Sequence, residues 1–129
     1  MKKSDDINEW LKRAKSNLLL SKIKKVSREI YYEDLCYDAQ QCAEKSLKAL
    51  CIFFDIKFPK THNLSHLIEL LKDKEVKIPK SVKKAELISD YSVETRYPGD
   101  YEEVDEKEYK RVVKIAEDVY NWVNKKVKF

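Results

Sequence analysis

The sequence predicts an all-α protein, an antiparallel helical bundle of about five helices in a single domain over residues 1–129. Glycine occurs once and proline three times in 129 residues, which leaves few turns and favours long helices. Apolar residues recur every three or four positions, the period of a helix face. The content of 43% hydrophobic residues excludes a disordered chain. No apolar run approaches the ~18 residues that cross a bilayer, and no signal region follows the N-terminus, so we expect a cytoplasmic protein without membrane association.

The first predicted helix covers residues 5–25, with Ser4 as its N-cap. Its apolar positions alternate at spacings of three and four residues: Ile7, Trp10, Leu11, Ala14 and Leu18. The pattern indicates an amphipathic helix that packs with one face against a neighbour.

The second predicted helix, residues 32–54, is the expected centre of the bundle. Small side chains on its apolar face would let a neighbouring helix approach closely. That face comprises Leu35, Ala39, Cys42, Ala43, Ser46, Leu47, Leu50 and Phe54. We interpret the opposite polar stripe as a solvated face; it comprises Asp34, Asp38, Gln41, Lys45 and Lys48. The three cysteines, Cys36, Cys42 and Cys51, are expected to be core or boundary residues of a reduced protein.

Two shorter helices are predicted next. One covers residues 63–74, capped by Thr61 or Asn63. The other covers residues 81–91 after Pro79. The residues expected to point inward are Leu64, Leu67, Ile68 and Leu71 in the first helix, and Val82, Ala85, Ile88 and Leu87 in the second.

The last helix has the clearest signal. Asp105 followed three residues later by Glu108 resembles a capping box. A heptad-like seam then runs to the C-terminus: Tyr109, Val112, Ala116, Val119 and Val123.

The connection over residues 92–104 is longer than most loops in a compact domain, which indicates a functional or a loose segment. Pro98 and Gly99 fit the two central positions of a type II turn. Arg96, Tyr97 and Tyr101 surround this turn and could stack a base or clamp a phosphate. From the residues alone we favour a structural interpretation, in which the tyrosines cover the open end of the bundle and Arg96 pairs with an acidic side chain of a bundle helix.

Charge limits what this segment can bind. Residues 90–108 contain 2 Lys and Arg against 8 Asp and Glu. Such a segment repels bare phosphate, so a nucleotide there would need Arg96, a metal ion, or basic residues from another element. An extended RNA backbone is not favoured.

Other chemistries have little support. His62 and His66 are four residues apart but lack the Glu of a zinc motif between them, so no metal site is predicted. No glycine-rich elbow surrounds a serine, and no activating partner is evident beside a cysteine. One glycine also excludes a P-loop and a dinucleotide fingerprint.

Four segments in this order resemble the bacterial and archaeal HEPN domain: YYED at 31–34, AQQCAEKSLKAL at 39–50, KTHNL at 60–64 and TRYPGD at 95–100. The resemblance implies a helical bundle of about five helices, usually dimeric, with a proposed nucleotide-binding role. Many members are encoded beside a minimal nucleotidyltransferase and resemble halves of toxin–antitoxin pairs.

Catalytic members of the wider superfamily are metal-independent ribonucleases that use an arginine followed, after four to six intervening residues, by a histidine. Arg96 matches the arginine, but Tyr101, Glu102 and Glu103 occupy the positions where the histidine would stand. Because a tyrosine with a pKa of about 10 is a poor acid–base group at neutral pH, no catalytic residue is assigned.

The resemblance and the motifs together predict a non-catalytic HEPN module that binds a nucleotide, such as ATP with Mg²⁺, or a minimal nucleotidyltransferase partner. A homodimer is also expected, through the small-residue face of the second helix and aromatics near Tyr31 and Tyr32. The candidate binding residues are Arg96, Tyr97, Asp100, Tyr101, His62 and Lys48. The alternatives are a divergent ribonuclease with Tyr101 or His62 as acid–base residue, and a purely structural partner protein.

Overall fold

A computed structural model describes residues 2–23, 26–91 and 103–128 of the chain. The helices are α1 (Lys3–Ser21), α2 (Tyr32–Phe53), α3 (Leu64–Asp73), α4 (Lys80–Lys83), a 3₁₀ segment (Lys84–Tyr91) and α5 (Glu106–Lys126). Over these ranges the elements are helical and no strand occurs, which confirms the predicted all-α class. No helix in the described ranges is long and apolar enough to cross a membrane.

Helix α2 lies at the centre, as predicted, and packs most extensively against α1 and α5. Fourteen of its 22 residues are buried, more than a single apolar stripe would bury. The small side chains of Ala39, Cys42 and Ala43 are fully buried where the neighbouring helices approach. This face is therefore used inside the bundle and offers no surface for the homodimer that the sequence placed there.

The N-terminal cap of α1 was predicted wrongly. The helix begins at Lys3, so Ser4 lies in its first turn, and the residue at the N-cap position, Lys2, makes no side-chain capping bond. The C-terminal end also differs, because α1 stops at Ser21 rather than near residue 25. The buried Ser21 hydroxyl donates to the carbonyl of Leu18 at 2.7 Å, and the Ser21 carbonyl accepts from the hydroxyl of Tyr109 on α5. These contacts fix the end of α1 against α5.

The region predicted as a fourth helix is mostly 3₁₀. Only Lys80–Lys83 is α-helical, and the 3₁₀ segment follows directly. Val82, Ala85 and Ile88 are buried and three residues apart, a spacing that the three residues per turn of a 3₁₀ helix keep on one side. Leu87 lies off this face and is 70% exposed, so its predicted inward position is wrong.

Side chains cap α3 and α5. Asn63, one of the two predicted caps of α3, accepts from the backbone N–H of His66 at 3.3 Å. Asp105 accepts from the backbone N–H of Glu108 at 2.8 Å, as predicted for α5. The Glu108 carboxylate accepts from the Tyr91 hydroxyl, so it joins the end of the 3₁₀ segment to the start of α5.

Helices α2 and α3 end in the same motif. The N–H of Ile56 donates to the carbonyl of Cys51, and the N–H of Val76 donates to the carbonyl of Leu71. These are the long bonds of Schellman motifs, whose left-handed position usually holds glycine. Here Asp55 and Glu75 hold that position, with φ of 58° and 62°. Both motifs place a buried apolar residue, Ile56 or Val76, against the core.

Candidate functional site

A cluster of polar side chains is buried beside the core, and we call it the Glu44 cluster. It comprises Gln40, Gln41, Glu44 and Lys48 of α2, and His62 of the connection between α2 and α3. Buried polar groups are stable only when their hydrogen-bonding capacity is used. The bonds within the cluster therefore explain how these residues occupy the interior.

Glu44 is the centre of the cluster. Its side chain is 4% exposed, and each carboxylate oxygen has a charged or chargeable partner. Nζ of Lys48 donates to Oε2 at 2.9 Å, and Nδ1 of His62 lies 2.8 Å from Oε1. The Lys48 ammonium and the Glu44 carboxylate thus form a buried ion pair. Because an ionised carboxylate only accepts, Nδ1 of His62 carries the proton in this contact.

Lys48 occupies an aromatic environment that α1 and the α2–α3 connection provide. Its Nζ lies 5.6 Å from the ring centroid of Trp10 and 5.8 Å from that of Phe58. The two rings contact each other edge to face, with centroids 6.4 Å apart. Attraction between an ammonium and aromatic faces strengthens away from water. This contact and the Glu44 carboxylate together hold a lysine side chain that is only 9% exposed.

The two glutamines connect the cluster to the backbone. Nε2 of Gln40 donates to the carbonyl of His62 at 3.0 Å and approaches Oε1 of Glu44 at 3.4 Å. Nε2 of Gln41 donates to Oε1 of Gln40 at 3.0 Å. The bond from Gln40 fixes the His62 backbone, and the bond to Glu44 fixes the ring. His62 is therefore positioned at two points.

Sequence reasoning missed Glu44 and misread part of the polar stripe. Gln41 and Lys48 were expected on a solvated face, yet both are buried. Residues 40, 44 and 48 are spaced by four, so they lie on one face of α2. That spacing was the available signal. Whether this face is buried or solvated depends on the α2–α3 connection, which folds back over it. The hydrogen bond between Gln40 and His62, 22 residues apart in sequence, demonstrates this.

His62 is where the cluster reaches the surface. Its side chain is 45% exposed, in contrast to the buried Glu44. With the proton on Nδ1, a neutral ring presents Nε2 as an acceptor, and an imidazolium presents it as a donor. Lys57 and Lys60 are exposed on the same connection and add positive charge to it. The arrangement can bind a hydroxyl or an anionic oxygen.

The structure thus brings together two of the six predicted site residues, Lys48 and His62, with Glu44 between them. The other four are Arg96, Tyr97, Asp100 and Tyr101, and they lie outside the described residues, as does the predicted turn at Pro98 and Gly99.

The cysteines match their predicted place in the core. All three are buried. Burial raises the pKa of Cys42 and of Cys51 to about 12, because the apolar surroundings disfavour the thiolate. At neutral pH both are therefore protonated thiols, unsuited to act as nucleophiles or metal ligands.

Comparison with known proteins agrees with this architecture. The family model of the HEPN domain matches residues 7–126. An archaeal HEPN homologue, ST0689, has a crystal structure similar over 99% of this chain and 100% of its own, with 28% identity and a TM-score of 0.75. TT1696 from Thermus thermophilus is similar over 94% of this chain and 98% of its own, with 25% identity and a TM-score of 0.73. Comparison with curated proteins finds no match. The family match spans nearly the whole helical bundle, and the chain therefore belongs to the HEPN domain family.

Proposed function

We propose that this chain is a non-catalytic HEPN module that binds a nucleotide, a minimal nucleotidyltransferase partner, or both, as half of a toxin–antitoxin-like pair. The observation that carries the proposal is the half-exposed His62 ring, held by the buried Glu44 on a connection that also carries the exposed Lys57 and Lys60. A ring fixed in this way is pre-organised to bind, because little rotational freedom is lost when a ligand arrives.

In this proposal the nucleotide phosphates contact His62 and the exposed ammonium groups of Lys57 and Lys60. Lys48 has an indirect role: it forms a buried ion pair with Glu44, the carboxylate that holds the His62 ring. Arg96 is proposed as a second phosphate ligand, and Tyr97 or Tyr101 as the residue that stacks the base. Mg²⁺ would offset carboxylates of the acidic segment, Asp100 among them.

Calorimetry with ATP and Mg²⁺ tests nucleotide binding. We expect binding by the wild-type protein and at least tenfold weaker binding by His62→Asn and by Arg96→Ala. His66→Asn is the matched control, because His66 is also exposed and lies four residues away in α3. Absence of heat at millimolar ATP would exclude nucleotide binding and favour a purely structural partner protein.

Partner binding requires a separate test. A minimal nucleotidyltransferase encoded beside this protein would be co-expressed with it and the mixture separated by size. Co-elution that survives in His62→Asn, with folding of the variant checked by thermal denaturation, would place the partner surface elsewhere on the bundle. Separate elution of the two proteins would remove the partner half of the proposal.

The contact between Glu44 and His62 favours a second candidate function, that of a divergent ribonuclease. A carboxylate that orients a histidine is the arrangement used in general acid–base catalysis. His62 would then take the role of the histidine missing after Arg96. RNA cleavage in the presence of EDTA, lost in His62→Asn and retained in His66→Asn, would establish this activity and overturn the non-catalytic assignment.

A further inference from the structure

We propose that a groove between α1 and α5 binds a short peptide with free termini, about three residues long. We call it the α1–α5 groove, and it lies between residues 5–15 of α1 and residues 120–124 of α5. Its volume of about 820 Å³ is within the range of roughly 300–1,000 Å³ that small-molecule sites occupy. The side chains that line it come from these two helices, so the proposal does not depend on the Glu44 cluster or on nucleotide binding.

The α1–α5 groove follows from the packing of both helices on α2, beside each other and antiparallel. Near the end of α1, Lys22 pairs with Glu117. Nearer its middle, Nζ of Lys15 lies 5.5 Å from the ring centroid of Tyr120. Earlier positions of α1 therefore face later positions of α5. Asn124, one turn beyond Tyr120, lies toward the start of α1.

Charges of opposite sign lie at the two ends of the α1 wall. Four polar residues on this wall are spaced by three or four and share one face of the helix: Asp5, Asn8, Lys12 and Lys15. At 1.5 Å of rise per residue, Asp5 and Lys12 are about 10 Å apart along the axis. Neither of these two side chains forms an ion pair with any residue that the structure describes. The groove therefore offers an anion at one end and a cation at the other.

This charge pattern identifies the ligand. A free peptide has an ammonium at one end and a carboxylate at the other, and each extended residue spans about 3.3–3.6 Å. Three residues thus match the separation of Asp5 and Lys12, with the ammonium against Asp5 and the carboxylate against Lys12. The reversed orientation would place like charges together. A nucleotide has no ammonium for the acidic end, and its phosphates would face the carboxylates of Asp5 and Glu9, which also lines the groove.

Neutral side chains complete the α1–α5 groove. Asn8 and Asn124 line its opposite walls. A carboxamide both donates and accepts hydrogen bonds, so each can bind a peptide group of an extended chain. Leu11, which is 6% exposed, and the half-buried Tyr120 provide apolar contact. The two termini and the backbone, rather than a particular side chain, therefore provide the recognition.

Titration of the full chain with trialanine, followed by amide NMR chemical shifts, tests binding. We expect saturable shifts confined to α1 and α5. N-acetyl-trialanine lacks the ammonium and trialanine amide lacks the carboxylate, so each should bind the wild-type protein at least tenfold more weakly. Absence of saturable shifts up to tens of millimolar trialanine would overturn the proposal. Equal binding of the three peptides would also overturn it.

Two substitutions assign the ends of the peptide. Asp5→Asn should weaken trialanine binding at least tenfold and leave the binding of N-acetyl-trialanine unchanged. Lys12→Gln should weaken trialanine binding to the same extent and leave the binding of trialanine amide unchanged. The matched controls are Asp73→Asn on α3 and Lys83→Gln on α4, both at exposed positions away from the groove. A loss in either variant that is independent of the capped terminus would contradict the proposal.

Thermal denaturation confirms that each variant is folded, and the comparison of the three peptides on the wild-type protein needs no variant. ATP calorimetry on Asp5→Asn separates this proposal from nucleotide binding, because the substitution leaves the His62 site unchanged. Loss of trialanine binding with unchanged ATP binding supports the groove as a separate site. Trialanine binding that Asp5→Asn and Lys12→Gln leave unchanged would refute it.

Discussion

Glu44 and His62 form a hydrogen bond of 2.8 Å between the interior of the bundle and its surface. Eighteen residues separate them in sequence, and the side chain of one is 4% exposed while that of the other is 45% exposed. Any molecule that binds the His62 ring is therefore in electrostatic contact with a buried carboxylate and, through it, with the Lys48 ammonium. This relationship gives the first two predictions.

The protonation pattern of the His62 ring should depend on Glu44. We expect imidazole nitrogen NMR of the wild-type protein to show His62 protonated at Nδ1 when the ring is neutral. Glu44→Gln removes the ionised acceptor and should redistribute the proton between the two nitrogens. His66, the only other histidine, is an internal control whose signals should not move. Identical His62 signals with and without the Glu44 carboxylate would contradict a positioning role.

Removing the Glu44 carboxylate alone should destabilise the fold more than removing both Glu44 and Lys48. Glu44→Ala leaves the buried Lys48 ammonium without its anion, which costs about 3–5 kcal/mol of unfolding free energy. The double variant Glu44→Leu, Lys48→Met replaces both charges with apolar groups and should lose much less. Urea denaturation of both variants measures the difference. Equal losses would mean that the two charges are not energetically coupled.

Glu75→Gly should stabilise the protein by about 0.5–1 kcal/mol. Glu75 has a φ of 62° at the end of α3, where a side chain costs about 1–2 kcal/mol and glycine costs nothing. Part of that gain is offset by the greater freedom of glycine in the unfolded chain. Glu75→Val should be destabilising, because a β-branched side chain fits the left-handed region worst. A lower melting temperature for Glu75→Gly would refute this account.

Alkaline pH should destabilise the protein through its buried thiols. Burial raises the pKa of Cys42 and of Cys51 from 9.0 to about 12. Between these values the unfolded chain releases thiol protons that the folded chain keeps, so unfolding becomes more favourable as pH rises. The slope of stability against pH from 9 to 12 should be smaller in Cys42→Ala, Cys51→Ala than in the wild type. Parallel curves of stability against pH for the wild type and the double variant would show that neither thiol contributes to the pH dependence.

Thiol reactivity checks the same burial independently. Iodoacetamide at pH 8 should leave the three cysteines of the native protein unmodified and should alkylate them in urea.

Local patterns predicted most of the fold. Helix α2 ends one residue before its predicted bound, α5 begins directly after the predicted cap Asp105 and ends three residues before the C-terminus, and the predicted seam of α5 is buried as a whole. The 3₁₀ segment was missed because a spacing of three, as in Val82, Ala85 and Ile88, also fits one face of an α-helix. The predicted cap at Ser4 was wrong because the helix begins at Lys3. The sequence alone does not distinguish a serine at the N-cap from a serine within the first turn.

The site was less predictable than the fold. His62 and Lys48 were both chosen from sequence, but Glu44 was not, because a charged residue at i+4 spacing on a helix is ordinarily solvated. Glu44 is buried because the α2–α3 connection folds back over this face of α2, a long-range contact that helical periodicity does not predict. The hydrogen bonds of His62 to Glu44 and Gln40 form only when the connection is in that position.

The position of Trp10 makes its intrinsic fluorescence a probe of the Glu44 cluster. Its indole lies 5.6 Å from the Lys48 ammonium, which bonds to the same carboxylate as His62. A charge this close to an indole shifts the energy of its excited state, so movement of the ammonium changes the emission of Trp10. The chain contains one other tryptophan, Trp122 on α5, and Trp122→Phe would leave Trp10 as the single tryptophan. Events at the His62 surface would then be followed by fluorescence without any attached label.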